Sequence, residues 1–192
     1  NTWTKSFALN GLKNRVRKAY LMVAPKKVLA VEQAHDDALD FHVLKLALPV
    51  KAPDPIVSVV VLELEGEPVV ESLPLQQPDG RCLLPVHMST FISKAGAGEP
   101  KLTRGGLLDG WTDTASHLAW KVKVRTSGSY AVRVVLGSSV WEKAVASGHR
   151  VTLAVAGQKV SGVLSSDEEI KNVRTTHFRL AASKLGTLRL EK

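Results

Sequence analysis

The sequence has a single cysteine, few aromatic residues and no long hydrophobic run. Because Cys82 has no second cysteine to pair with, an intramolecular disulfide is excluded, and cysteine usage leaves the cellular compartment open. No apolar stretch approaches the ~20 residues that a membrane-spanning helix needs. The amino terminus lacks the charged, apolar and cleavage regions of a signal peptide. We therefore expect no membrane partner, and the start at Asn1 without Met suggests a processed chain or a fragment.

A sustained helical period is also missing, and apolar and polar residues alternate instead. Such alternation places successive side chains on opposite faces of a strand. The sequence therefore predicts an all-β fold of two β-sandwich, jelly-roll-like units with mostly antiparallel strands. In the first half, a turn is predicted at 33–37. The predicted strands there are 16–23, 26–31, 41–48 and 57–64, the last of them buried on both faces.

In the second half the alternation predicts hairpins. Strands 120–125 and 130–136 would turn at Ser127-Gly128-Ser129, and strands 151–156 and 159–164 would turn at Gly157-Gln158. A last pair, 178–182 and 185–190, would turn at Ser183-Lys184. The segment 83–110 has weak periodicity and is predicted to be a long surface loop.

Charge is unevenly distributed along the chain. The net charge is +8, and residues 76–192 carry the whole excess, because residues 1–75 contain nine Lys/Arg and nine Asp/Glu. A basic surface can attract polyanions by counterion release. Here the basic residues alternate with apolar ones, as they do on the solvated face of a strand, so we favour no nucleic-acid partner.

An ordered series of short motifs in the first half resembles the β-sandwich that follows the catalytic barrel in glycoside hydrolase family twenty-nine α-L-fucosidases. The motifs are Gly11-Leu12-Lys13-Asn14, Lys18-Ala19-Tyr20-Leu21, Leu48-Pro49, Ala52-Pro53-Asp54-Pro55 and the apolar run 57–64. The resemblance implies a carboxyl-terminal accessory region whose partner is a missing amino-terminal catalytic domain. It also implies a periplasmic or extracellular location.

The second half has a looser resemblance to the jelly-roll carbohydrate-binding modules of glycosidases. It rests on nine scaffold positions: Trp120, Gly128, Tyr130, Val132, Gly157, Gln158, Leu185, Gly186 and Leu188. Together with the proline-containing segment 73–79, this predicts two domains, 1–75 and 76–192.

The sequence predicts no catalytic residues, no metal site and no cofactor. Glycoside hydrolysis ordinarily needs two carboxyl groups set across the sugar, whereas Asp36, Asp37 and Asp40 fall where a hairpin turns and where Asp favours backbone capping. The cluster Asp167-Glu168-Glu169 offers too few oxygen ligands for calcium. The six histidines are scattered, without paired ligand spacing.

Side chains suited to a glycan are sparse but present. Trp111 and Trp141 are predicted to lie in loops, where an exposed ring can stack on a sugar, and Arg104 and Asp113 are the polar groups predicted beside them. Trp120 is expected to pack in the core, and Trp3 to have packed against the missing domain. The predicted function is a non-catalytic accessory region of an α-L-fucosidase-like glycosidase that supports the missing catalytic domain, with a fucosylated glycan as its candidate ligand. The alternative is a structural or oligomerisation module that binds no sugar.

Overall fold

The computed structural model describes residues 3–93, 100–103, 106–139, 148–165, 168–170 and 178–192. In these ranges it contains one short 3₁₀ helix, Val86–Met88, and antiparallel strands, so the predicted all-β fold is confirmed. No helix in the described ranges has the length and apolarity needed to cross a bilayer. The strands are β1 Ser6–Asn10, β2 Val16–Leu21, β3 Val31–Asp36, β4 Phe41–Ala47, β5 Val60–Leu64, β6 Thr90–Ile92, β7 Lys101–Leu102, β8 Leu108–Asp109, β9 His117–Ala119, β10 Gly128–Ser139, β11 Arg150–Val155, β12 Gln158–Val163, β13 Glu168–Glu169 and β14 Phe178–Leu190.

The chain forms two compact units, Asn1–Arg125 (the first unit) and Thr126–Lys192 (the second unit). The predicted boundary near residue 75 lies inside the first unit. Division into the domains 1–75 and 76–192 stays a prediction.

The first unit is built on two sheets that share one apolar core. A three-stranded sheet has the order β1-β4-β3, and a two-stranded sheet pairs β2 with β5. Alternate residues of β4 and β2 meet between the sheets, with Leu44 and Leu46 from one and Ala19 and Leu21 from the other. Trp3 packs against this core and donates from Nε1 to the carbonyl oxygen of Pro49 at 2.8 Å.

The central strand β4 is buried on both faces over its first half. Phe41 and Val43 point away from Leu44 and Leu46 and form a second apolar cluster with Leu75. A strand covered on both faces explains the nearly continuous apolar run in this part of the sequence. The turn at 37–40 comes directly before this strand, and the candidate site lies at that turn.

Three predictions for the first unit need correction. Residues 33–36 belong to β3, and the turn occupies 37–40 instead of 33–37. Residues 26–31 are not a separate strand, because a turn at 22–27 leads through one bridge at Val28 into β3. The run 57–64 forms a strand only from Val60, Val57 is 64% exposed, and every residue of β5 is half-buried or exposed, so this strand is not buried on both faces.

The predicted long loop at 83–110 has short regular elements in its described parts. The 3₁₀ helix and β6 occupy its first part, and β6 pairs with β9. The two-residue strands β7 and β8 pair with each other. The prediction of one long loop is therefore wrong for the residues in these short elements.

The second unit is built around a long antiparallel pair, β10 and β14, with β13 on the other edge of β14. The predicted hairpin of β11 and β12 is confirmed, with its turn one residue earlier than the predicted Gly157-Gln158. It turns at Ala156 and Gly157, which both have positive φ angles of 47° and 78°. Two consecutive positive φ angles match the twist of the flanking strands in a tight hairpin.

Two other predicted hairpins are wrong. Residues 120–125 do not pair with β10, whose partner is β14. Residues 178–190 form one strand with a bulge, because the register passes from Val132 opposite Gly186 to Arg133 opposite Lys184 and leaves Leu185 as the extra residue. The polar Ser183-Lys184 pair had suggested a turn there.

Close packing in the second unit depends on Gly186. A Cβ atom at this position would lie 2.5 Å from Cγ2 of Val160 on β12, and its φ angle of 140° is disfavoured for other residues. Gln158 reinforces the contact, since its side-chain amide exchanges two hydrogen bonds with the backbone of Arg189, at 2.7 and 3.0 Å.

Candidate functional site

Charged and imidazole side chains of the first unit converge on Asp40. We call this group the Asp40 cluster; it consists of Lys13, His35, Asp37, Asp40, His42, Glu71 and Lys123. Its members come from four separate stretches of the chain. It is the densest set of ion pairs in the described residues.

The β3–β4 hairpin positions Asp40 and the two histidines. Asp40 ends the turn with a φ angle of 45°, a left-handed conformation that Asp tolerates better than most residues. His35 and His42 are directly opposite each other in the register, so their side chains lie on the same face. Their rings stack with centroids 4.0 Å apart.

Lys13 and Glu71 are placed by backbone hydrogen bonds around Gly11. The amide of Gly11 donates to the carbonyl of His42 at 2.9 Å, and the amide of Glu71 donates to the carbonyl of Gly11 at 2.8 Å. Gly11 has a φ angle of 90°, and a Cβ atom there would lie 2.9 Å from Cδ2 of Leu75. A side chain at position 11 would collide with Leu75, so glycine is needed for the backbone at this position to pair with His42 and Glu71.

Lys123 joins the two carboxylates of the cluster. Its Nζ lies 2.6 Å from Oε2 of Glu71 and 3.0 Å from Oδ2 of Asp40, and it also donates to the carbonyl oxygen of Asp40 at 2.7 Å. A parallel bridge between Leu75 and Lys123 holds its backbone in place. The side chains of Glu71 and Lys123 are 7% and 17% exposed, so this pair is largely shielded from water.

The contacts shift the pKa values of the two lysines, Asp40 and Glu71 toward their ionised forms. Hydrogen bonds from Lys13, then Lys123 and His35, hold the pKa of Asp40 far below its usual range. Burial alone would raise the pKa of Glu71, but its hydrogen bonds to Lys123 and Leu73 outweigh burial and lower it. The hydrogen bond to Asp40 raises the pKa of Lys13. The pKa of Lys123 is likewise raised, since its carboxylate partners outweigh the effect of burial.

These shifts limit what the cluster can do chemically. A glycosidase needs one carboxyl group that stays protonated to act as general acid. Asp40 and Glu71 are instead held as carboxylates by the lysines, so this pair is poorly suited to acid catalysis. Oδ2 of Asp40 is engaged by both lysines, while Oδ1 faces the two imidazoles at 3.1 and 3.3 Å.

Two of the four residues predicted to bind a glycan are described, and they lie close together. Trp111 is 45% exposed, contacts Phe91 edge to face at 6.2 Å between ring centroids, and donates from Nε1 to the carbonyl of Asp113 at 2.7 Å. The Asp113 carboxylate accepts from the amide of Ala115 at 2.9 Å and contacts the hydroxyl of Ser116. Asp113 thus shapes the loop that carries Trp111.

The other two, Arg104 and Trp141, lie outside the described residues, as does Asp167 of the acidic triplet. Glu168 of that triplet forms an ion pair with Arg133. Trp120, expected in the core, is half-buried and donates from Nε1 to the carbonyl of Pro85 at 2.9 Å. Trp3 contacts the core of the first unit, and its expected packing against a missing domain stays a prediction.

Sequence reasoning missed the pairing of His35 with His42. Placing residues 33–37 in a turn removed His35 from its strand, so the two histidines appeared unrelated. A turn centred on Asp37 to Asp40 would have paired them, because residues equidistant from the centre of a hairpin face each other. The expectation of scattered histidines is therefore wrong for this pair.

No protein-family model matches the sequence, and none of the curated protein sequences compared with it is detectably similar. The fold is similar to part of a solved structure, an alpha-L-fucosidase from Vibrio sp. strain EJY3, with a TM-score of 0.66 and 18% sequence identity. The similarity covers 98% of this chain and 30% of that one. The chain therefore shares the fold of a region that makes up about a third of that fucosidase.

Proposed function

We propose that this chain is a non-catalytic accessory region of an α-L-fucosidase-like glycoside hydrolase, in which it supports a catalytic domain located elsewhere in the same polypeptide. The observation that carries the proposal is the unequal coverage of the structural match, which spans nearly all of this chain and 30% of the fucosidase. The ordered motifs from Gly11 to Pro55, whose resemblance to the family twenty-nine enzymes is independent of that match, point the same way.

The Asp40 cluster supports a structural role for the first unit. It ties the β3–β4 turn to residues 71 and 123 through a partly buried network, and its carboxylates are held ionised. Such a network favours a rigid support over a reaction centre. We further propose a jelly-roll-like second domain and a periplasmic or extracellular location, which follow from the same resemblance.

Glycan binding is the finer part of the proposal, and it depends on Trp111. Its half-exposed ring is held by Phe91 and by the loop that Asp113 shapes, so it offers a fixed apolar face to a sugar. Internal hydrogen bonds occupy the indole NH of Trp111 and the carboxylate of Asp113. These internal bonds leave the exposed face of the ring for stacking, and they also fit the alternative, a structural module without sugar binding, so the experiment on Trp111 decides between the two.

The accessory role is tested by the size of the native protein. An antibody raised against this chain should detect a polypeptide about three times its 20.7 kDa in the cells that make it, because the matched fucosidase is about three times as long. The immunoprecipitated protein should hydrolyse an aryl α-L-fucoside, whereas the purified 192-residue chain should not. A native product of the size of this chain, or turnover by the chain alone, would contradict the proposal.

Sugar binding is tested with a glycan array and calorimetry on the purified chain. We expect weak binding of fucosylated oligosaccharides that Trp111→Ala abolishes and that Trp120→Phe, a control for a half-buried ring, leaves intact. Affinity should change little between low and high salt, since stacking does not release counterions. Binding that collapses with salt would indicate a polyanion ligand, and no binding would leave the structural module as the function.

A further inference from the structure

We propose that His35, His42 and Asp40 form a binding site for a divalent transition metal, with Zn²⁺ as the best fit. The ligand atoms are Nε2 of each imidazole and Oδ1 of the carboxylate. The inference is independent of the proposed accessory role.

Two of the three spacings between the ligand atoms match a tetrahedral metal. Oδ1 of Asp40 lies 3.1 Å from Nε2 of His35 and 3.3 Å from Nε2 of His42. Four ligands at ~2.0–2.1 Å from Zn²⁺ in a tetrahedron are about 3.3 Å apart. The three residues offer ligand atoms that all lie within 4.8 Å of one another. The three ligand atoms are therefore close enough to share one ion once the two rings rotate out of their stacked arrangement, which turns both Nε2 lone pairs toward it.

The backbone pre-organises the two imidazoles. Because His35 and His42 are cross-strand partners in the β3–β4 hairpin, their separation is fixed by the sheet and does not depend on loop conformation. The stacked rings direct the same edge toward Asp40. Half of the Asp40 side chain is exposed, which leaves an entry path and room for water as the fourth ligand.

Asp37 supplies the supporting interaction typical of metal-binding histidines. Its Oδ1 lies 2.9 Å from Nδ1 of His35. A carboxylate that accepts the Nδ1 proton fixes the tautomer, so that the lone pair of Nε2 is available to the metal. This contact lies on the opposite edge of the ring from Asp40, as such an arrangement requires.

The electrostatics of the cluster permit a cation but limit its affinity. Asp37, Asp40 and Glu71 contribute three negative charges, and Lys13 and Lys123 contribute two positive ones, which leaves one net negative charge when the imidazoles are neutral. Both lysines bind Oδ2 of Asp40 and leave Oδ1 to face the histidines. We expect micromolar affinity instead of the tighter binding of a site without nearby ammonium groups.

The ligand set selects the type of metal. Two imidazole nitrogens suit Zn²⁺, Cu²⁺ and Ni²⁺. Ca²⁺ takes six to eight oxygen ligands, and Mg²⁺ prefers oxygen in octahedral geometry, so neither suits this site.

The experiment is a calorimetric titration of ZnCl₂ into the full chain after treatment with chelator, repeated with MgCl₂. We expect one Zn²⁺ per chain, no Mg²⁺ binding, and a melting temperature that rises with Zn²⁺. His35→Asn and His42→Asn should each weaken binding at least tenfold, whereas His117→Asn, a change at an exposed histidine of β9, should not. Asp37→Asn should keep the stoichiometry and lower affinity about tenfold to a hundredfold, as loss of such a supporting carboxylate does.

Circular dichroism of each variant without metal verifies that it is folded. Binding that survives in the folded His35→Asn/His42→Asn double variant would overturn the proposal, and so would absence of Zn²⁺ binding at millimolar concentration. Loss of binding in His117→Asn alone would place the ion elsewhere and would equally overturn it.

Discussion

Nζ of Lys123 lies 2.6 Å from Oε2 of Glu71, although 52 residues separate them in the sequence. The contact ties the segment after β5 to the segment after β9 within the first unit. It is supplemented by the backbone bridge between Leu75 and Lys123. Residues on both sides of the predicted boundary at 75 are therefore joined in one compact body.

Removing the positive charge at this point should destabilise the first unit. Lys123→Met leaves the largely buried carboxylate of Glu71 without its main partner, which we expect to cost about 1–3 kcal/mol. Urea unfolding followed by tryptophan fluorescence measures the change. The control is Lys45→Met, because Lys45 forms an exposed pair with Glu32 at 3.8 Å and should cost less than about 0.5 kcal/mol. Equal losses of unfolding free energy in the two variants would mean that the shielded Lys123–Glu71 pair contributes no more stability than the exposed pair.

Stability of the first unit should fall in acid. Folding lowers the pKa values of Asp40 and Glu71 from the ordinary 3.8 and 4.5. The two carboxylates therefore stabilise the folded state fully above their ordinary pKa values, and this stabilisation is lost as the pH falls through their lowered pKa values in the folded state. The pKa values of Lys13 and Lys123 are raised above 10.5, so their contribution is lost only in strong alkali. Melting temperatures from pH 2 to pH 7 measure this loss of stability in acid. The double variant Asp40→Asn/Glu71→Gln should show a smaller fall in melting temperature as the pH is lowered. An unchanged fall would assign the acid sensitivity to other groups.

A methyl group at position 186 should destabilise the second unit. In Gly186→Ala the new Cβ meets Cγ2 of Val160 at 2.5 Å, and overpacking of this kind costs about 1–3 kcal/mol. Thermal unfolding of Gly186→Ala, Val160→Ala and the double variant forms a mutant cycle. The cost of Gly186→Ala should be smaller when Val160 is truncated. An undiminished cost would attribute the effect to the φ angle of 140° alone.

Truncation of Phe41 should disrupt the second apolar cluster of the first unit. The side chain is 2% exposed and packs with Val43 and Leu75. Phe41→Ala should therefore cost about 3–5 kcal/mol of unfolding free energy. Phe7→Ala is the matched control, because Phe7 on β1 is 43% exposed and loses less burial. Similar costs at the two positions would contradict the assigned core.

Alternation in the sequence was sufficient to predict strands but not always their partners. The β11–β12 hairpin was predicted correctly because its turn and both strands are adjacent in the chain. Residues 120–125 alternate equally well, yet Lys123 pairs with Leu75, a contact between distant residues that periodicity does not encode. β14 was divided in two because a bulge at Leu185 has the same polar and glycine signals as a turn.

The Asp40 cluster was not predictable for a related reason. Its seven members come from four stretches of chain, which the β3–β4 hairpin, the hydrogen bonds around Gly11 and the Leu75–Lys123 bridge bring together. Asp40 was expected to cap backbone groups in a turn, and the turn is present, but its carboxylate contacts Lys13, Lys123 and the histidines instead. Trp111 was correctly placed in a loop, because Gly110 and Asp113 carry a turn signal that is local.

The lone thiol of this chain lies in the same neighbourhood as the Leu75–Lys123 bridge. Cys82 is partly buried, burial raises the pKa of its thiol, and its backbone pairs with Gln76. Reaction with an alkylating reagent at neutral pH is therefore slow in the closed state and fast whenever this region opens. Since the sequence has no other cysteine that could react, the rate at which the wild-type protein is alkylated measures how often this region of the first unit opens.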